Sequence, residues 1–94
     1  MENEPWSKEN IAKRLKWLRS HSGLSQSEFS DSLGISVTNY NNWERGRQRM
    51  SLDGALQVNR VYGTTLDFLY LGRLESLSTS MARSFAEFSD VAES

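Results

Sequence analysis

Residues 25–44 read SQSEFSDSLGISVTNYNNWE, and this stretch decides the fold. Ser25 and Glu28 stand three residues apart, which is the spacing of a capping box at a helix N-terminus. Apolar residues then recur at helical spacing until Gly34, and glycine is the residue that most often follows a helix C-terminus. The first half of the stretch therefore predicts a short helix over about residues 26–33.

The second half, residues 36–44, is rich in Ser, Thr and Asn, which prefer caps and turns. A surface loop with two stray aromatic residues is one interpretation. Ser36 can instead cap a helix in which Tyr40 and Trp43, three residues apart, share one face. Packed against the preceding helix, that face gives a helix-turn-helix over about residues 26–45.

Helical signals continue on both sides of this motif. One helix precedes it, a fourth begins after Ser51, and a short fifth ends at Gly72. In the fourth helix, Leu52 and Leu56 are among the residues predicted to face the core. The sequence thus predicts an all-α, five-helix domain over residues 1–72.

The last segment, residues 73–94, carries an apolar stripe whose members are spaced 3, 4, 4 and 3 residues apart. The stripe consists of Leu74, Leu77, Met81, Phe85 and Phe88. A domain of this size is not expected to have core surface left to cover it. A frayed tail, a helix that packs back on the domain and a helix that binds a partner all fit the pattern. We predict dimerisation through the stripe, with a protein partner as the alternative occupant.

Composition excludes several classes of protein. The 94 residues include no cysteine, which rules out disulfide scaffolds, zinc–cysteine sites and cysteine nucleophiles. His21 is the single histidine, and no catalytic spacing of Ser, His or carboxylates surrounds it. We therefore expect no catalytic site, no metal and no cofactor. No apolar run is long enough to span a membrane, and the N-terminus lacks the apolar region of a signal peptide. A cytoplasmic protein is expected.

The net charge of −1 conceals an uneven distribution. Between residues 8 and 49 there are eight Lys and Arg against four Asp and Glu, whereas the remaining residues hold three against eight. The basic part spans the predicted first helix, the helix-turn-helix and the loop after it. This distribution is a modest indication of an anionic partner, because only the contacting face must be positive.

Two segments carry a family resemblance. LRSHSGLSQSEFSDSLGISVTNYNNWERGRQR, residues 18–49, and VYGTTLDFLYLG, residues 61–72, resemble the XRE-like family of phage Cro and repressor-type regulators from phages and bacteria. The resemblance covers about residues 8–72. It implies a lambda-repressor-like five-helix domain that binds double-stranded DNA as a homodimer and regulates transcription, most often as a repressor on a palindromic operator. Tyr40 departs from the pattern, since Ile or Val is usual there.

The resemblance and the chemistry of the side chains together give candidate site residues. For base reading in the major groove they are Val37, Thr38, Asn39, Asn41 and Asn42. For phosphate contact they are Gln26, Ser36, Arg45, Arg47 and Arg49, with some of Lys8, Lys13, Arg14 and Lys16 in addition. Arg19 and Glu44 match a salt bridge that ties the first helix to the recognition helix in many relatives. An antitoxin-like or antirepressor module that grips another protein is the alternative function.

Overall fold

A computed structural model of the protein describes the backbone of residues 4–93 and the side chains of residues 4–89. Within that range the chain is all-α and has six helices. They are α1 (Lys8–His21), α2 (Gln26–Leu33), α3 (Val37–Glu44), α4 (Leu52–Tyr62), α5 (Leu66–Leu71) and α6 (Thr79–Glu93). The first five are the helices that the sequence predicts, and α6 is the sixth.

Hydroxyl caps set where the helices begin. The capping box at α2 is complete: the Glu28 backbone N–H donates to Ser25 Oγ at 3.1 Å, and the Ser25 backbone N–H donates to Glu28 Oε1 at 2.9 Å. Four further helices each begin after a hydroxyl that accepts a backbone N–H bond, and these caps are Ser7, Ser36, Ser51 and Thr65. Each cap satisfies a donor that a helix N-terminus would otherwise leave unpaired.

The turn between α2 and α3 depends on Gly34. Its φ of 70° lies in the left-handed region, which a residue with a Cβ adopts only at a cost. Beyond the turn, α3 packs across α2 through aromatic rings. The rings of Phe29 and Tyr40 have centroids 5.1 Å apart, and both residues are fully buried. The prediction that Tyr40 and Trp43 belong to the core is confirmed, since Trp43 is only 7% exposed.

Helix α4 buries only part of the face predicted for it, which included Ala55 and Val58 as well as Leu52 and Leu56. Ala55 and Val58 are fully buried, whereas Leu52 is 59% and Leu56 48% exposed. The predicted inward orientation of these two leucines is therefore wrong. The reason is a close approach at Gly54, where a Cβ would lie 2.4 Å from Cη2 of the Trp43 ring. Because α4 meets α3 at its glycine, the two leucines on the opposite side of the helix turn outward.

Helix α6 packs against α1 and α5 of the same chain. The Phe85 ring lies 5.4 Å from Trp17 and 5.2 Å from Phe68, centroid to centroid, and Trp17 Nε1 donates to Ser84 Oγ at 3.0 Å. Four stripe residues (Leu77, Met81, Phe85 and Phe88) pack against the core, and Leu74 is 38% exposed. The expectation that no core surface remains for the stripe is wrong, because the α1 and α5 aromatic rings supply it.

Candidate nucleic-acid interface

The two faces of α3 differ in composition and exposure. Val37, Thr38 and Asn39 are exposed at its N-terminal end, and Val37 alone leaves 45% of its surface uncovered. Tyr40 and Trp43 cover the opposite face within the core. The helix thus begins with short polar and branched side chains in solvent, at the end that reads base edges when a recognition helix enters a major groove.

The other two candidate base-reading residues lie one turn further along α3. Asn41 and Asn42 are both half-buried. The backbone carbonyl of Asn42 accepts from the N–H of Arg47 at 2.9 Å and of Gln48 at 3.2 Å, which folds the following loop against the end of α3. The loop and the helix therefore form one continuous surface.

An ion pair joins α1 to α3. Arg19 Nε donates to Glu44 Oε2 at 2.9 Å and Arg19 Nη2 donates to Glu44 Oε1 at 2.8 Å, which is the bidentate geometry of a guanidinium on a carboxylate. The carboxylate is 3% and the guanidinium side chain 19% exposed. Burial by itself would raise the pKa of Glu44, but the hydrogen bonds that its carboxylate accepts lower it overall. Glu44 is therefore a carboxylate at neutral pH.

The hydrogen-bonded row continues from this ion pair to the exposed side of α3. Gln26 Nε2 donates to Glu44 Oε1 at 3.1 Å, and Asn41 Nδ2 donates to Gln26 Oε1 at 3.1 Å. Two candidate DNA-contacting residues, one predicted for phosphate and one for bases, are thus bonded to each other. Ser36, a third candidate, uses its Oγ to cap α3 by accepting the N–H of Asn39.

The basic loop after α3 keeps its arginines at the surface. Arg45, Arg47 and Arg49 are all exposed. Arg49 Nε donates to the carbonyl oxygen of Trp6 at 2.9 Å, which ties the loop to the segment before α1. The loop ends at Met50, whose carbonyl oxygen accepts the hydroxyl of Tyr70 on α5. The end of the loop is therefore held at two points while its arginine side chains stay exposed.

One basic residue that the sequence offered for phosphate contact has a different place. Arg14 is buried, and its Nη1 donates to the carbonyl oxygens of Pro5 at 2.7 Å and Leu69 at 3.0 Å. Burial lowers the pKa of this guanidinium. Arg14 is therefore not among those of the four basic residues that face solvent, because its guanidinium is bonded to two backbone carbonyls inside the fold. Lys8 and Lys16 are exposed and Lys13 is half-buried.

The described residues offer no other kind of site. No three His, Cys, Asp or Glu side chains among the described residues lie close enough together to hold a metal ion. None of the helices in that part of the chain is long and apolar enough to cross a membrane. The His21 ring stacks on Trp17 at 5.2 Å, and its Nδ1 lies 3.4 Å from Ser84 Oγ.

Sequence reasoning missed two features of this surface. The bond between Gln26 and Asn41 escaped because the residues are fifteen positions apart on different helices, although two amides beside a predicted ion pair were a usable signal. The burial of the Arg14 side chain was also not predicted. Its place between Lys13 and Leu15 gives no local sign that the guanidinium reaches α5.

Comparison with known proteins agrees with this geometry. A family model described as helix-turn-helix matches residues 15–69, which is more than half of the chain. The match begins within α1 and ends within α5, so it includes the motif and excludes α6. No solved structure is significantly similar to the chain.

Three curated proteins are each 33% identical to this chain over about two thirds of its length. Repressor protein CI of Enterobacteria phage phi80 aligns over 63 residues, 67% of this chain and 26% of its own length. The HTH-type transcriptional regulator ImmR of Bacillus subtilis aligns over 66 residues, which are 70% of this chain and 51% of ImmR. The SPbeta prophage-derived uncharacterized HTH-type transcriptional regulator YonR of Bacillus subtilis aligns over 62 residues, which are 66% of this chain and 57% of YonR. The alignments thus span between a quarter and somewhat over half of these relatives. With the motif, its flanking helices and the family match in agreement, the chain belongs to the XRE-type helix-turn-helix family.

Proposed function

We propose that the protein is a sequence-specific, double-stranded DNA-binding transcriptional regulator, and that it represses by occupying an operator. The observation that carries the proposal is the division of α3, which buries Tyr40 and Trp43 while presenting Val37, Thr38 and Asn39 to solvent. A helix of this kind held across a partner helix is what enters a major groove in helix-turn-helix proteins. The similarity to a phage repressor and to two transcriptional regulators supports the same function.

Phosphate contact is assigned to the surface that frames α3. Arg45, Arg47 and Arg49 lie in the loop after the helix, and Gln26 and Ser36 lie near the N-termini of α2 and α3. Arg side chains in such a loop neutralise phosphates and release counterions. With the three loop arginines, and with the exposed Lys8 and Lys16 adding up to two more cationic contacts, the slope of log K against log salt should be about −3 to −4.5 per chain. A slope near zero would refute DNA binding through this surface.

We further propose a homodimer on a palindromic operator. Two recognition helices about 34 Å apart would read half-sites one helical turn apart. The apolar stripe, of which Met81, Phe85 and Phe88 lie in α6, stays the predicted dimer surface, although four of its residues pack within the chain. A second copy would therefore contact Leu74 and the outer side of α6, or displace the helix. The exposed leucines of α4, Leu52 and Leu56, are the competing surface.

Selection of binding sites from a random duplex pool tests the function and the symmetry together. Enrichment of an inverted repeat is the expected result, and enrichment of a single half-site would refute the palindrome. Sedimentation of the chain, of residues 1–72 and of Leu56→Glu separates the dimer surfaces. Loss of self-association in the truncated chain supports α6, whereas loss in Leu56→Glu alone supports α4.

The alternative function is a protein-binding module of the same fold. It would be favoured by an uncovered apolar stripe on the tail, but α1 and α5 cover most of that stripe. Residues 1–72 are therefore proposed as a DNA-binding unit, with α6 as an added support. The proposed place of action is the cytoplasm, where the operator DNA of a bacterium or an infecting phage is reached.

A further inference from the structure

Four polar side chains form a hydrogen-bonded row from α1 to the exposed side of α3, and we call this row the relay. Its members, in order, are Arg19, Glu44, Gln26 and Asn41. The guanidinium can only donate hydrogen bonds, and an ionised carboxylate can only accept them. The amides of Gln26 and Asn41 can each donate and accept hydrogen bonds. Their orientation therefore depends on the neighbouring group that can only donate or only accept.

The carboxylate fixes the first amide. Glu44 Oε1 accepts from Arg19 Nη2 and from Gln26 Nε2, at 2.8 and 3.1 Å. Turning the Gln26 amide over would place two acceptor oxygens in contact beside a 3%-exposed carboxylate, which is strongly unfavourable. Gln26 therefore keeps its nitrogen toward Glu44 and its oxygen toward Asn41.

The first amide then fixes the second. Gln26 Oε1 is an acceptor, so Asn41 must present Nδ2 to it, and the two atoms are 3.1 Å apart. The Oδ1 atom of Asn41 consequently lies on the side of its amide away from this bond. Asn41 is half-exposed and one turn along α3 from its exposed N-terminal residues. The end of the relay is thus an acceptor of fixed orientation on the recognition helix.

We propose that Glu44 and Gln26 are positioning residues that hold Asn41 with Oδ1 toward the major groove, so that Asn41 selects a base with an exocyclic amino group. This inference rests on the proposed function. Adenine N6 and cytosine N4 are donors in the major groove, whereas guanine O6 and N7 and thymine O4 are acceptors. The remaining hydrogen on Nδ2 can meet adenine N7, so adenine is the preferred base. The discrimination against guanine at this position is expected to be about tenfold or more.

Site selection with the full chain and matched variants tests the relay. The wild type should enrich adenine, with cytosine second, at one position per half-site, and Asn41→Ala should erase that preference. Gln26→Leu removes both amide bonds at nearly constant size. It should lose the amino-over-keto preference at that position while the other positions keep theirs. Gln57→Leu, a glutamine on α4 outside the relay, is the control and should select the wild-type site.

Asn41→Asp provides a second variant at this half-buried position of α3. Its carboxylate presents only acceptors, so it loses both the bond to Gln26 Oε1 and the contact to adenine N7, and the preference should move from adenine toward cytosine. A loss of base preference at every position alike in Gln26→Leu would overturn the proposal, because a purely structural role predicts that result, whereas a fall in overall affinity alone is expected from the phosphate contact also proposed for Gln26. An unchanged base preference in Gln26→Leu would overturn it as well.

A measurement without DNA separates the relay from the proposed function. In the free protein, Gln26→Leu should shift the side-chain amide signals of Asn41 in a nitrogen–proton correlation spectrum, and Gln57→Leu should leave them in place. Unmoved signals would overturn the relay whether or not DNA binds. If Gln26→Leu shifts these signals but the wild type enriches no duplex, the proposed function is overturned, and the base selection with it.

Discussion

Replacement of Gly54 by alanine should destabilise the protein, because Gly54 is where α4 touches the recognition helix. The added Cβ would lie 2.4 Å from Cη2 and 2.8 Å from Cζ3 of Trp43, and 3.2 Å from Ser51 Oγ. Contacts this short cannot be kept, so the indole or α4 must move. The indole is rigid and only 7% exposed, which leaves it little room.

Two opposing effects set the size of the change. Overpacking a filled core costs about 1–3 kcal/mol. Alanine in place of glycine inside a helix gains about 1 kcal/mol, and less in the first turn where Gly54 lies. The expected net loss is about 1–2 kcal/mol in the free energy of unfolding. For a chain of this length each kcal/mol lowers Tm by about 4–8 °C.

Thermal unfolding followed by circular dichroism measures this loss. Leu56→Ala is the control, since it changes a half-exposed residue of the same helix and should alter the free energy by about 0.5 kcal/mol or less. The cost of Gly54→Ala should shrink in a Trp43→Phe background, because phenylalanine lacks the atoms that collide. A Gly54→Ala variant that melts at or above the wild-type temperature would show that α4 and α3 are not in such close contact.

Three other variants probe the rest of the structure. Glu44→Gln should lose stability relative to the wild type at neutral pH. Because the folded pKa of Glu44 is depressed, the difference should be complete above the ordinary value of 4.5 and disappear as pH falls through the lower folded value; denaturant titrations between pH 7 and 3 that show a constant gap would contradict this. Arg14→Met should cost about 1–3 kcal/mol in urea unfolding by leaving the Leu69 carbonyl without this donor, with the salt slope of DNA binding unchanged. Ser84→Ala should cost about 0.5–1.5 kcal/mol by unpairing the indole N–H of Trp17, and an unaltered melting curve would argue against this bond.

Helix boundaries were predictable because they depend on neighbours in sequence. Ser25 with Glu28, and the glycine at position 34, act within one or two turns of the chain, and the structure has α2 as this pattern predicts. The same holds for the burial of Tyr40 and Trp43, since both the helical spacing and the short turn restrict which face can meet α2.

Contacts between distant segments were not predictable in the same way. Leu52 and Leu56 are apolar and correctly spaced for a core face, yet α4 buries only Ala55 and Val58 of the predicted face and approaches Trp43 at Gly54, which leaves both leucines exposed. Trp17 and Ser84 are 67 residues apart, so no local sequence pattern predicts the contact between α1 and α6. In the candidate site, the identities of the exposed α3 residues followed from the sequence, whereas the orientation of their amides required the buried carboxylate to be located.

The two buried indoles occupy separate parts of the molecule. Trp17 lies under α6, hydrogen-bonded to Ser84, and Trp43 lies at the approach of α4 to α3. Intrinsic fluorescence can therefore follow the two places independently, with Trp17→Phe isolating the motif and Trp43→Phe isolating the sixth helix. Trp6 is 46% exposed and would add a solvent-like background to both signals. The fluorescence of these two tryptophans can therefore test whether α6 detaches from α1 and α5 when a ligand binds to α3.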